Sequence, residues 1–584
     1  MSGYYRRGDF LKIDRIKKRI LKQCGINVIC KEFRKSIVLE GEAETWDKAL
    51  RAGKIAAKYK YKGVVNKIKV KGVNPKGIRL PDIVNAELEG KEVDVLIIGA
   101  GIIGCSIARE LSKWDLSVLV IDKEEDVAMH ASSRNDGMVH PPLATLPGTK
   151  KAKYCSLGNK LYDKISKELD IDFKRVGQLT LCKTKPQYTA LKLFSKYVAH
   201  KNNMGKIEFW NKEKIKEREP NVKMDVAGGV FIPSAGIVCP YNVTIAFMEN
   251  AIENGVELSL NTAALAMTKK ADSIIEVNTN KGSIKPKVIV NAAGVFSDKI
   301  AAMADDEFFS IHPRKGTDAI LDSKKGNVVN SVVGIVDLKS SKKQSKGGGI
   351  IKTIDGNILI GPNAVEIMDL EDYSTDSASM EEICKKQFSI VNGLGKEDII
   401  TYFSGIRAAT YEEDFIVEAS ETVGNLVHAA GIQSPGVASA PAIALDIEKI
   451  VVEKLKSIQS VNENSKYNPY RKGIVNVKKL GDMERDKLIK SNPDYGVIIC
   501  RCEEISKGEI VDALNSPIKP RSVDAIKRRV RAGMGRCQGG FCMPLVTEII
   551  AEQSHMDMCE ITKKGDHSFI LVNSTKGDEE NDSL

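Results

Sequence analysis

Apolar and polar positions alternate along this chain in two rhythms, and the changes of rhythm mark its elements. Around DRIKKRILKQCG the apolar residues Ile13, Ile16 and Ile20 recur at helical spacing, and SIVLEGEAE then alternates as a strand does. WDKALRAGKIAAKYK returns to the helical period and GVVNKIKVKG alternates again, so residues 1–80 are predicted to form a small α+β module of helix, strand, helix, strand. VNPKGIRLPDIVNAELEGKE, with two prolines and several turn residues, reads as a linker. From Val93, VDVLIIGAGIIGCSIARELSKWDLSVLVIDKEED predicts an apolar strand, a glycine turn, an amphipathic helix and a second strand ending at Asp122. Far downstream, YNPYRKGIVNVKKLGDMERDKLIKSNPDYG is charged and poor in large apolar residues, as a strap between domains would be.

A chain of 584 residues with 42% hydrophobic and 28% charged residues is globular and too long for one core, so about three or four domains are expected. The first thirty residues hold no apolar signal-like run, and no stretch approaches the roughly 18–20 apolar residues of a membrane span, so a cytoplasmic protein is expected. Charge is unevenly placed. Residues 1–90 carry 22 Lys or Arg against 10 Asp or Glu, and the rest of the chain 66 against 67, so the first module holds the whole excess of +11. Such a module suits an anionic surface, a lipid headgroup layer rather than nucleic acid, or is simply a solvated basic face.

The glycines after Ile98 have separate physical tasks. Gly99 permits a tight turn, Gly101 lets backbone approach a pyrophosphate at the positive end of the helix that Ile102 and Ile103 open, and Gly104 allows close helix–strand packing. Asp122, 21 residues after Gly101 and followed by Lys123, is placed to hydrogen-bond an adenosine ribose. A dinucleotide is therefore expected.

Eight cysteines (Cys24, Cys30, Cys105, Cys155, Cys182, Cys239, Cys384 and Cys559) are scattered singly and read as reduced thiols or core filler. Cys500, Cys502, Cys537 and Cys542 are different, a C-x-C pair and a C-x4-C pair separated by 34 residues. Four thiolates suit structural zinc or a 2Fe-2S cluster, but zinc more often takes C-x2-C knuckles. Gly533, Gly535, Gly539 and Gly540 would let backbone N–H groups approach cluster sulfurs. Lys527, Arg528, Arg529, Arg531 and Arg536 would offset the cluster's charge, dock an acidic partner, or form a solvated basic helix. A cluster moves single electrons, whereas nicotinamide moves hydride; a flavin handles both, which favours FAD as the dinucleotide.

ASSRNDGMVH (131–140), VIVNAAGVFSDKI (288–300), DGNILIGPNA (355–364), FSGIRA (403–408) and GIQSPGVASAPAIA (431–444) resemble, in order over about 350 residues, the flavin-contacting segments of the D-amino-acid-oxidase-like FAD-dependent oxidoreductases. Within them the resemblance is nearest to the anaerobic glycerol-3-phosphate dehydrogenase large subunit and its clostridial-type relatives, with L-2-hydroxyglutarate dehydrogenases further off. GVIICRCEEISKGEIVDAL and KRRVRAGMGRCQGGFCMPLVTEII resemble the bacterioferritin-associated-ferredoxin-like 2Fe-2S domain, and residues 1–80 resemble, at the level of pattern, a phospholipid-associated BON domain.

The resemblance implies an α/β fold, with a Rossmann-like FAD-binding domain (91–150, 235–305 and 400–455) interleaved with an α+β substrate domain (mainly 151–234 and 306–399). A strap (456–494), a small helical four-cysteine cluster domain (495–555) and a tail (556–584) would follow. It places Ser132, Ser133 and Asn135 along the pyrophosphate or ring, Gly294 on the adenosine side, and Gly361, Pro362 and Gly405 near the ring. Gly431, Ser434, Pro435 and Gly436 would set a helix N-terminus against the flavin O2 side. His140 is the candidate base and Arg407 the candidate anion clamp, with Arg314, Lys315 and Lys352 as further phosphate ligands.

Two departures stand out. Asp136 replaces a neutral residue, which disfavours an anionic substrate unless it points away, and Pro141-Pro142 follows His140. SSKKQSKGGG (340–349) reads as a loop or hairpin turn beside the substrate site. The expected function is oxidation of glycerol 3-phosphate to dihydroxyacetone phosphate, with electrons leaving through the cluster to a second flavoprotein or another acceptor such as quinone, at a peripheral membrane contact. A 2-hydroxy acid or secondary amine as substrate, or a non-catalytic redox-sensing adaptor, are the alternatives.

Overall fold

The computed structural model describes residues 7–573 apart from 75, 224 and 337–347, with side chains from residue 12 onward. Of the expected loop at 340–349, only Gly348 and Gly349 fall among the described residues. No described helix is long and apolar enough to cross a membrane. The described cysteines are all free thiols.

The first module runs α1 (Arg7–Cys24), β1 (Ile29–Phe33), β2 (Ser36–Ala43), α2 (Trp46–Ala57), β3 (Val64–Val70). Its sheet has the order β1-β2-β3, antiparallel then parallel. β1 has no counterpart in the hydropathy pattern. It pairs with β2 across a two-residue turn in which Arg34 and Lys35 both adopt positive φ (51° and 64°), a turn usually announced by Asn-Gly, so the local hairpin signal is missing. Ile16, Ile20, Ile37, Leu39 and Val64 fill the core, as the rhythms predict, together with Tyr411 from far along the chain.

The module is docked on the body of the protein. Arg34 pairs with Asp306 at 2.9 Å, Lys54 with Glu366 at 2.9 Å, Lys62 with Glu418 at 3.0 Å and Lys67 with Glu307 at 2.6 Å. Part of the module's positive charge is thus taken up by an acidic face within the same chain, a use distinct from the lipid and solvent readings.

β4 (Lys91–Ile98), α3 (Ile102–Leu111) and β5 (Val118–Ile121) begin the nucleotide fold. In its eight-stranded sheet, Glu257–Ser259, β5, β4, Gly282–Asn291 and Leu426–Ala430 run parallel, completed by antiparallel strands at one edge. Parallel strands buried on both faces account for the unbroken apolar run VLII and its partner VLVI. A second, nine-stranded sheet forms the roof of the site. Its longest pair, Ile311–Leu321 and Ile399–Thr410, is antiparallel, with Arg314 opposite Arg407 and Gly316 opposite Gly405. Residues 400–410 therefore belong to this sheet rather than to the nucleotide part, where the resemblance placed them.

The strap is pinned along the nucleotide domain, for example by Arg471 to Glu249 at 2.5 Å. Beyond it, helices Lys507–Leu514, Val523–Val530 and Met543–Ser554 close a small core around Ile510, Ile526, Val546 and Ile550. Arg528 and Arg529 both grip buried Asp126, just after β5, while Arg531 pairs with Asp355 at 2.8 Å and Glu503 at 2.9 Å. These arginines join domains within the chain.

Candidate active site

The glycine turn is built as its chemistry requires. Gly99 has φ +112°, and a Cβ there would lie 2.5 Å from the Ala292 carbonyl oxygen; one on Gly104 would lie 1.8 Å from the Gly99 carbonyl. α3 therefore sits directly on β4, with Gly101 as its N-cap and the Ile102 N–H donating to Ser132 Oγ at 2.9 Å. Asp122 accepts from the Ala100 and Glu124 amides at 2.6 and 2.9 Å, and burial pushes its carboxyl up. Lys123 turns to Glu371 and to the Arg79 carbonyl.

In front of α3 lies a cavity of about 340 Å³, roofed by the second sheet. Gly101, Ile102, Ile103, Ser132, Asn135 and Gly294 line one end. Pro362, Gly405, Ser434, Pro435 and Gly436 line its walls, the last at the start of the helix Gly436–Lys456, so that helix N-terminus faces the cavity. Gly99, Gly104, Asp122, Lys123, Gly361 and Gly431 support the cavity without lining it, and Ser133 opens instead on a neighbouring cavity of about 320 Å³.

His140, Arg314 and Arg407 line the same cavity. Arg407 is roofed by Gly316, whose Cβ position lies 2.5 Å from Nη2, so a side chain there would displace the guanidinium. Among the described residues its hydrogen bonds run from Nη1 and Nη2 to the Asn363 carbonyl, 3.3 Å each, and no carboxylate pairs with it. Arg314 is the reverse case. Its Nε donates to Glu366 at 3.1 Å, Nη2 to Glu413 at 2.5 Å and Nη1 to Gln433 at 3.2 Å, so its charge is already answered. Burial would raise the Glu366 pKa, but the His312 hydrogen bond and the charges of His312 and Arg314 outweigh it and hold it at about 2.

Lys315 and Lys352 stand outside the cavity. Strand alternation turns Lys315 to the opposite face from Arg314, where it meets Asp372 at 2.8 Å, and Lys352 reaches Asn327 at 3.2 Å. The same alternation brings in Asp318, which hydropathy did not mark because it is wholly buried; counting by twos from Arg314 through Gly316 would have found it. Burial, and then the nearby Asp136 charge, push its carboxyl well up, against the opposing pull of Arg407. Asp136 does line the cavity, 4.0 Å from His140 Nε2.

A family model described as FAD dependent oxidoreductase matches residues 94–449. The glycerol 3-phosphate dehydrogenase of Caloramator mitchellensis is 40% identical over 487 residues, covering 83% of this chain and 99% of that protein. The chain belongs to the FAD-dependent oxidoreductase family.

This oxidoreductase is also 29% identical to the glycerol 3-phosphate oxidase of Mycoplasma pneumoniae over 64% of the chain and 98% of the relative. A solved L-alpha-glycerophosphate oxidase from that organism, dithionite-reduced with FAD bound, superposes with a TM-score of 0.60 at 26% identity, over 65% of this chain and 98% of that one. The L-2-hydroxyglutarate dehydrogenase of Escherichia coli strain K12 is 26% identical over 48% of the chain and 66% of the relative. The glycine cradle, the close seat of α3 and the cavity before it fit FAD.

A second family model, BFD-like [2Fe-2S] binding domain, matches residues 498–552, and the oxidoreductase carries its cluster there. The four cysteines fit that group in pairs. Cys502 and Cys537 sulfurs are 3.5 Å apart, and Cys500 is hydrogen-bonded to Cys542, which with the Gly533 and Glu503 amides holds the Cys500 thiol down at about 6. Gly539 and Phe541 amides point at Cys537. A 2Fe-2S cluster takes two thiolates on each iron, the pairing that these cysteines present. Residues 1–93 lie outside both family models.

Proposed function

We propose that this enzyme oxidises glycerol 3-phosphate to dihydroxyacetone phosphate and delivers the electrons through its cluster to a second protein. The observation that carries the proposal is Arg407, a half-buried guanidinium facing the cavity with no carboxylate partner among the described residues. Such a fork matches a phosphate bidentately. The names of the relatives that cover nearly their whole length on this chain support the same substrate.

His140 is the base that accepts the hydroxyl proton, and Asp136 is placed to steady the imidazolium that results. With Arg314 answered by Glu366 and Glu413, Arg407 is the cation on the cavity roof offered to the substrate's anionic end. FAD, when bound, supplies the two-electron acceptor for the carbinol hydrogen, and the cluster supplies single-electron transfer onward. For attachment, the exposed side of α1 carries Arg15, Lys18, Arg19 and Lys22 without an ion pair among the described residues, a face suited to anionic headgroups at a membrane surface.

Anaerobic protein treated separately with glycerol 3-phosphate, L-2-hydroxyglutarate and sarcosine tests the substrate. Bleaching of the flavin and cluster bands by glycerol 3-phosphate alone is expected, and bleaching by another compound alone would overturn it. Arg407→Ala should lower kcat/KM by about 10²-fold or more, the loss of one or two charge-assisted hydrogen bonds at ~1.5–3 kcal/mol each, while the flavin stays bound.

A further inference from the structure

Arg314 stands beside Arg407 on the roof of the cavity, and two like charges side by side would push each other off position. Two carboxylates hold Arg314; the first module grips Glu366 directly and, for Glu413, the two residues that precede it. Glu366 Oε1 accepts from Arg314 Nε at 3.1 Å and from Lys54 Nζ, on α2, at 2.9 Å. Glu413 follows directly on Tyr411 and Glu412. The Tyr411 ring is buried in the module's core against Gly53, where a Cβ would lie 2.3 Å from it, and its hydroxyl accepts from Asn66 Nδ2 at 2.7 Å. Glu412 accepts from the Val64 amide. Between these two arms lies His312, its Nδ1 donating to Glu366 Oε2 at 2.9 Å and its Nε2 lying 3.2 Å from the Thr410 carbonyl, its ring 4.7 Å from that of Tyr411.

We propose that the first module is a brace for the substrate pocket, in which Lys54 is a positioning residue that acts through Glu366 and Arg314 on the anion site at Arg407. The proposal rests on the anion-binding role given to Arg407 above. The module lies outside the family models, so the brace is an addition to the oxidoreductase fold and not a part of it. Its two arms reach Arg314 through different atoms, Glu366 at Nε by way of an ion pair and Glu413 at Nη2 by way of an inserted ring. Loosening either arm lets Glu366 or Glu413 swing and leaves Arg314 free to repel Arg407 or to compete with it for the ligand.

The test uses the full-length holoprotein carrying Lys54→Met, Lys54→Arg or Gly53→Val, the last a wedge against the Tyr411 ring. Three quantities are read: affinity of the oxidised flavoprotein for inorganic phosphate, from the perturbation of its flavin spectrum; hydrogen exchange of amides 411–414; and KM and kcat with whichever alcohol reduces the flavin. For Lys54→Met, phosphate affinity falls about tenfold, the equivalent of ~1.4 kcal/mol, with KM rising in parallel and kcat within about twofold. Gly53→Val does the same and also speeds exchange at 411–414, while Lys54→Arg stays near the parent. Phosphate affinity and exchange within about twofold of the parent for both Lys54→Met and Gly53→Val would overturn the brace. Because those two readouts do not depend on the alcohol, a wrong substrate would show itself separately, as a flavin that glycerol 3-phosphate fails to reduce.

Discussion

Replacing Asp126 by Asn should detach the cluster domain from the flavin domain without unfolding either. Asp126 is 2% exposed and accepts from Arg528 Nη2 at 2.7 Å, Arg529 Nη1 at 2.9 Å and Arg529 Nη2 at 3.0 Å. Burial alone would raise its pKa, but the two guanidinium charges dominate and carry it from 3.8 down to about 2. A shift of that size corresponds to roughly 2–3 kcal/mol of interaction, at ~1.36 kcal/mol per pKa unit. The folded pKa is depressed, so this contribution is complete above about pH 4 and is lost as pH falls through about 2; at neutral pH the variant forfeits all of it. Leaving two buried guanidinium groups without their acid raises the penalty toward ~3–5 kcal/mol. Limited proteolysis of the strap at 456–494 and stopped-flow reduction of the cluster after substrate addition read the detachment together. Faster cleavage and slower cluster reduction, with flavin bleaching preserved, are expected. An Asp126→Asn protein with parental proteolysis and parental cluster reduction would show that these arginines do not hold the domains together.

Gly104→Val brings a side chain to within 1.8 Å of the Gly99 carbonyl, so α3 must leave its seat by about 1.5 Å to regain van der Waals contact. The purified variant should carry at least tenfold less FAD, measured by flavin released on denaturation. Cys502→Ser, at an exposed position whose sulfur lies 3.5 Å from that of Cys537, should abolish the cluster's electron-paramagnetic signal and electron delivery to one-electron acceptors. Flavin bleaching by substrate should persist within about threefold.

The nucleotide turn was legible in the sequence because each glycine answers a local constraint, and the structure returns those constraints as a positive φ at Gly99 and a contact under Gly104. The cysteine pairs were legible for a similar reason: their spacing carries the chemistry. What the pattern could not show was which charged side chains face one another across hundreds of residues. Lys54 reads as an ordinary basic position on a helix, and Arg528 and Arg529 read as charge beside the cluster, a dock for an acidic partner or a solvated face; only tertiary contact turns them into links with Glu366 and Asp126. Asp318 stayed hidden because it is an acid buried in an interior strand, where hydropathy anticipates none. β1 stayed hidden because Arg34-Lys35 takes a turn conformation that its residue types do not advertise.

The buried ring of Tyr411 has a consequence for synthesis. Asn66, which hydrogen-bonds it, leaves the ribosome 345 residues earlier. At roughly 5–20 residues per second, about 20–70 s pass before the ring that completes the module's core exists. During that interval the slot over Gly53 is an apolar opening on a nascent chain, and the module reaches its final packing only as the second sheet closes. Folding of the two parts is therefore coupled in time as well as in space, and a chain truncated before residue 411 would present that slot permanently to chaperones.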